Sequence, residues 1–117
     1  MRLFVALVVI AVLITFIVVS PSLAHHNEAM ALAARYWGRQ ACHGSVHVHM
    51  KPLPGKMGGE AVIGGCTIWM DQRRWDFPLY CAVFLHEYGH LLGYHESRNR
   101  DSVMYPTVQF IPEICYS

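Results

Sequence analysis

The sequence is short and nearly balanced in charge. Its 117 residues include nine Lys or Arg and eight Asp or Glu, so the formal net charge is +1 with neutral histidines. A chain of this length has room for one domain at most, and the balance excludes the strongly basic surface typical of nucleic-acid-binding proteins. Eight histidines are present, all after residue 24, which makes metal chemistry the first function to consider.

The first 24 residues have the layout of a secretory signal. Arg2 gives a basic start, residues 3–19 form an uncharged apolar run, and Ser22 and Ala24 are the small residues expected before a cleavage site. We predict a signal peptide over residues 1–24 and a single domain over residues 25–117. A retained anchor is the alternative, because the run is near the lower length limit for crossing a bilayer. Both interpretations place the domain outside the cytoplasm.

Four cysteines are an even set in a chain predicted to be exported, so two disulfides are expected. Their spacing lacks the close cysteine pairs of a structural zinc site. The sequence leaves the pairing open. We favour Cys42 with Cys66 and Cys81 with Cys115, because the second bridge would tie the end of the chain to the second predicted helix.

A helix followed by two strands is predicted for the first part of the domain. Asn27 can cap a helix over about residues 28–39, which has a glycine near its end. Residues 45–51 alternate between apolar side chains and histidines, which indicates a strand. Residues 52–60, with two Pro and three Gly, indicate a loop. Residues 61–70 then predict a second strand, bent at its central glycines and placed at an edge of the sheet.

A second helix is predicted to begin near Asp76. Pro78 falls in its first turn, where a missing N–H group does no harm, and Gly93 is a natural stop. Apolar residues recur along the helix between these points. The order of helix, strands, helix and terminal loop indicates an α+β fold.

The second helix carries a pattern of metal-binding residues. His86 and His90 are four residues apart, so both imidazoles can reach one metal ion at about 2 Å from each nitrogen. Glu87 is displaced by about 100° around the helix axis, which suits it to activate a water molecule as a general base. The pattern predicts a Zn²⁺ site with Glu87 as the catalytic residue. The alternative is an ordinary helix whose histidines face solvent.

A longer pattern extends from this motif to residue 106. Gly93 follows His90 by three residues, and Met104 lies in the segment SVMYP. With His86 and Glu87, these residues resemble the metzincin superfamily of zinc endopeptidases, most closely its matrixin-like members. The pattern of that superfamily is HExxHxxGxxH followed by a methionine-containing turn, the Met-turn.

The third metal ligand departs from the metzincin pattern. The superfamily has a histidine three residues after the glycine, and here that position holds Glu96, while His95 lies one residue earlier. The ungapped register to Met104 favours Glu96, and the general preference for imidazole ligands favours His95. Two histidines and one glutamate form an accepted catalytic zinc site. We predict Glu96 as the third ligand and keep His95 as the alternative.

The resemblance implies a small metzincin-like (zincin) domain of the α+β class. An amino-terminal helix, a short mixed sheet and the active-site helix would precede the Met-turn, with Met104 as an apolar floor beneath the metal. The implied function is that of a zinc metalloendopeptidase whose polypeptide substrate lies extended along an edge strand, for which residues 66–70 are the candidate. We expect a secreted monomer, or a membrane-anchored protein facing outside if the apolar segment is retained.

A second function, from a different class, stays open. The short chain and the unusual third-ligand position also fit a non-catalytic, zinc-stabilised extracellular binding module. His47 and His49 share a face of the first predicted strand and are candidates for a second metal site. An exposed strand face explains these two histidines equally well.

Overall fold

The computed structural model describes residues 21–116, with side chains from residue 24 onward. The elements are helix α1 (Pro21–Trp37), a first 3₁₀ turn (Ala41–Gly44), strands β1 (His47–Lys51), β2 (Gly59–Ala61) and β3 (Thr67–Asp71), helix α2 (Phe77–Leu91) and a terminal 3₁₀ turn (Glu113–Tyr116). Most of the predicted signal segment, residues 1–20, lies outside the described residues. Within residues 21–116, no helix has both the length and the hydropathy needed to cross a bilayer.

The three strands form one mixed sheet in the order β1-β3-β2, with β1 parallel and β2 antiparallel to β3. This confirms the α+β class and the short mixed sheet. Residues 61–70 are not one bent strand, because their glycines lie in the turn that joins β2 to β3. The predicted edge position of residues 66–70 is therefore wrong: β3 is central and β2 is the edge strand. A three-residue strand that begins with glycine is too short to show an alternating pattern.

The sheet has one packed face and one open face. On the packed face, Ile68 and Met70 of β3 are fully buried, and Val48 of β1 packs against the same core. On the open face, His47 and His49 are exposed. The alternation predicted for residues 45–51 is therefore confirmed, and the apolar side of the sheet faces the helices.

Helix α1 begins earlier than predicted. Asn27 lies inside the helix and does not cap it, because the helix starts at Pro21. The rings of His25 and His26 lie 5.6 and 5.7 Å from the ring of Tyr80 on α2, so the additional turn contacts α2. The helix ends at Trp37, two residues before the predicted end, and is followed by Gly38, whose φ of +74° is a left-handed conformation that favours glycine.

Helix α2 passes through the core and has the boundaries that the sequence predicted. Asp76 is the residue before the first turn and Pro78 lies within that turn. Gly93, with φ +100°, follows the end of the helix. Ten of the fifteen helix residues are buried. Such a helix is held by its surroundings on nearly every side, which makes it a rigid base for the residues of the predicted motif.

Both disulfides have the favoured pairing. Cys42–Cys66 joins the first 3₁₀ turn to the residue before β3, and Cys81–Cys115 joins α2 to the terminal 3₁₀ turn. In a domain with a small core, each bridge stabilises the fold mainly by restricting the unfolded chain, by roughly 2 to 4 kcal/mol.

Asp71, at the end of β3, fixes the loop that leads to the edge strand. Its carboxylate accepts hydrogen bonds from the backbone N–H of Leu53, at 2.8 Å, and from the Arg73 side chain, at 2.7 Å. The Leu53 hydrogen bond, followed by the Arg73 guanidinium, lowers the pKa of Asp71 below its ordinary value of 3.8. The charged form of Asp71 therefore stabilises the fold.

Replacing Asp71 should reduce the loss of folding stability at low pH. Because the folded-state pKa is lowered, the contribution is present above pH 3.8 and is lost as the pH falls through the folded pKa. We expect Asp71→Asn to be less stable than the wild type at neutral pH and to lose less further stability between about pH 5 and about pH 2. Urea midpoints across this range measure both effects. The same substitution at the exposed Asp101 is the control, and equal acid profiles for all three proteins would contradict the prediction.

Candidate metal centre

Three potential metal ligands converge at the end of α2. The Nε2 atoms of His86 and His90 are 3.1 Å apart, and Glu96 Oε1 lies 3.1 Å from the first and 2.9 Å from the second. The two histidines come from α2, whereas Glu96 comes from the loop that follows it. The structure therefore brings together the two predicted histidines and the favoured third residue. In the described part of the chain, this is the only group of three or more such donors.

Hydrogen bonds to backbone carbonyl groups orient the two imidazoles. Nδ1 of His86 lies 2.8 Å from the Val103 oxygen, and Nδ1 of His90 lies 2.8 Å from the Tyr94 oxygen. A carbonyl oxygen can only accept, so each Nδ1 carries the proton. In the neutral rings both Nε2 atoms then have free lone pairs, and both point at the Glu96 carboxylate. A shared metal ion would satisfy three lone-pair donors this close together.

The donor set fits zinc. Zinc accepts two imidazoles and a carboxylate as catalytic ligands, and bond lengths near 2.0 Å correspond to about 3.3 Å between donors in a tetrahedral site. The three donor atoms form a triangle with sides of 2.9 to 3.1 Å, so an outward movement of a few tenths of an ångström would reach that spacing. The carbonyl groups that hold Nδ1 are the kind of outer partner that metal-binding histidines usually have.

Contacts on both sides of Glu96 explain why it, and not His95, faces the histidines. Tyr94 is held by its backbone N–H, which donates to Gly89 O at 3.0 Å, and Ser97 by its N–H, which donates to Met104 O at 2.8 Å. With both neighbours fixed, a shift of one residue would break these hydrogen bonds. His95 is exposed to solvent and is not part of the donor group.

The predicted Met-turn packs directly against α2. Met104 is 4% exposed, and a Cβ added at Gly89 would lie 2.5 Å from its sulfur and 2.8 Å from Cζ2 of Trp37. Gly89 therefore allows the turn and Trp37 to approach the helix between the two histidines. The residue before the methionine, Val103, supplies the carbonyl that orients His86.

Glu87 is buried beside this group. It is 6% exposed, and burial, with smaller effects from the charges of Glu96 and Glu60, raises its pKa to about 8. A positive charge among the neighbouring donors would favour the carboxylate and oppose this effect. A buried carboxyl group whose pKa is moved toward neutrality is a candidate for general acid and base catalysis.

A cleft of about 460 Å³ opens next to Glu87 and His86. Much of its lining is apolar and comes from α2, the segment after β3, the Met-turn and the segment that follows it. This lining includes Trp75, Leu79, Val83, Val103 and Phe110. A large apolar side chain would fit the chemistry of this lining.

The candidate second metal site, at His47 and His49, lies on the open face of the sheet. In the described region no third donor lies close to these two histidines.

The sequence profile of the matrixin family matches residues 24–115. The chain belongs to the matrixin family. Matrilysin from Felis catus is 44% identical to this matrixin over 57 residues, which are 49% of this chain and 21% of that protein. The match thus spans about a fifth of the relative's length. No solved structure gives a significant match.

Sequence reasoning missed three features of this matrixin's site. The carbonyl groups of Val103 and Tyr94 carry no side-chain signal, since every residue has a carbonyl. Gly59 and Glu60 of the edge strand β2 fall in the loop predicted for residues 52–60, and Ala61 falls at the start of the second predicted strand. The backbone hydrogen bonds of Tyr94 and Ser97, which fix the position of Glu96, also carry no side-chain signal.

Substitutions at the two candidate third ligands should separate them. We expect Glu96→Ala to weaken zinc binding by at least about 100-fold, beyond the usual effect of losing an outer partner, and His95→Ala to change it by less than about 3-fold. Competition with a chelating dye measures both constants. Stronger weakening by His95→Ala than by Glu96→Ala would show that the loop presents His95 instead.

Proposed function

We propose that this matrixin is a zinc-dependent endopeptidase. The observation that carries the proposal is the convergence of three lone-pair donors, from His86, His90 and Glu96, beside the buried carboxyl group of Glu87 at the mouth of an apolar cleft. Membership of the matrixin family supports the same conclusion. The chain matches only a fifth of its curated relative, so the activity is proposed from the site itself.

In the proposed mechanism, His86, His90 and Glu96 would hold the zinc ion. Zinc, when bound, supplies a Lewis acid that makes water nucleophilic near neutral pH and polarises the peptide carbonyl group. Glu87 accepts the proton from the attacking water and then donates it to the nitrogen of the leaving amine. The carbonyl groups of Val103 and Tyr94 keep both imidazoles in the tautomer that the ligand role needs.

The proposed substrate is an extended polypeptide bound along β2. This strand is at the edge of the sheet and pairs with β3 on one side only, so the backbone groups of its other side are available to a peptide. The strand passes over α2 at Glu87, where an added Cβ on Gly59 would touch the Glu87 side chain. A peptide at this edge would therefore lie close to the base and beside the apolar cleft. This assigns to β2 the role predicted for residues 66–70.

We also propose that the protein acts outside the cell as a monomer. Matrixins are generally secreted or extracellular, and two disulfides are typical of oxidising compartments.

Removing the proposed base should abolish cleavage without loss of metal. We expect Glu87→Ala to reduce kcat/KM for a quenched fluorescent peptide by at least about 100-fold while zinc remains bound at one equivalent. Glu113→Ala, which removes an exposed carboxylate that does not line the cleft, is the control. A chelator should inhibit the wild type.

Equal activity of the wild type and Glu87→Ala would overturn the role of Glu87. A wild type that binds zinc but cleaves neither casein nor any peptide of a random library would instead identify the zinc-stabilised binding module.

A further inference from the structure

The edge strand β2 passes over the proposed base, Glu87, at Gly59, which has no side chain. A Cβ added at Gly59 would lie 2.8 Å from Cγ of Glu87 and 3.1 Å from Cγ1 of Val83. The first distance is shorter than real carbon contacts. Gly59 is not among the glycines with positive φ, so an alanine could adopt its backbone conformation. Glycine is needed here for space and not for chain conformation.

The strand cannot easily move away to make room for a side chain. Gly59 pairs with Met70 of β3, and Met70 is fully buried. One residue earlier, the carbonyl oxygen of Gly58 accepts a hydrogen bond from the Asp71 N–H at 2.9 Å. An outward shift of β2 would break this pairing. The Glu87 side chain can rotate about its own single bonds without breaking the strand pairing, so a group added at position 59 would displace Glu87.

We propose that Gly59 is a positioning residue that sets the location of the Glu87 carboxyl group. The absent side chain lets the backbone of β2 cover Glu87, which accounts for its low exposure, and brings the edge that would bind the peptide into contact with the base. The catalytic consequence rests on the proposed function. The contact itself does not, and the two can be tested separately.

The catalytic consequence is tested by the kinetics of Gly59→Ala. We expect kcat to fall by about 10- to 100-fold, as for a displacement of roughly an ångström, with KM and zinc content unchanged. Gly65→Ala is the matched control, because it adds the same methyl group in the same hairpin, 3.1 Å from Val62 O and away from Glu87. A change in KM alone, or an equal fall in kcat for both variants, would overturn the catalytic role of Gly59.

The contact is tested without activity, by thermal unfolding of single and double variants. We expect Gly59→Ala to lower the midpoint by about 5 °C or more in the wild-type background. In the Glu87→Ala background the same substitution should lower it by less than half as much, because the clashing side chain is gone. Val83→Ala should relieve the effect less than Glu87→Ala does, since its contact is longer.

The outcomes of the two tests distinguish the proposals. Relief by Glu87→Ala in a protein without peptidase activity would retain the positioning contact and reject the proposed function. An active enzyme in which Glu87→Ala gives no relief, or less than Val83→Ala, would reject the positioning role and leave the proposed function standing.

Discussion

The site depends on two hydrogen bonds, those from Nδ1 of His86 to the Val103 carbonyl and from Nδ1 of His90 to the Tyr94 carbonyl. They fix the tautomer of both rings and direct the remaining lone pairs at one point, where the Glu96 carboxylate also arrives. Neither carbonyl belongs to α2. The helix supplies the spacing of the ligands, and the loop and the Met-turn after it supply their orientation.

The same segments explain why the chain accommodates a glutamate as the third donor. Tyr94 and Ser97 are bonded to Gly89 and Met104, so the residue between them that faces the helix is set by the backbone and not by the preference of zinc for imidazole. The carboxylate makes the donor set one charge more negative than three neutral histidines. This chain thus places a carboxylate at the position where the metzincin pattern has an imidazole.

The contact between the edge strand β2 and helix α2 forms the part of the site around Glu87. Glycines at positions 59 and 89 let β2 and the Met-turn approach α2 on different sides. Glu87 is buried by the first approach, and the second places Met104 against the helix that carries both histidines. The two disulfides crosslink the segments around the site. Cys42–Cys66 anchors the residue before β3, and Cys81–Cys115 ties the terminal 3₁₀ turn to α2.

The sequence by itself determined the features that depend on local spacing and residue type. These are the α2 boundaries set by Pro78 and Gly93, the pairing of His86 with His90, the placement of Glu87, and the family. Only the tertiary structure decided that β2 is the edge strand and that Glu96 faces the histidines. Strand order and loop register depend on backbone hydrogen bonds between segments distant in the chain. Those bonds leave no side-chain pattern, because every residue offers the same N–H and carbonyl groups.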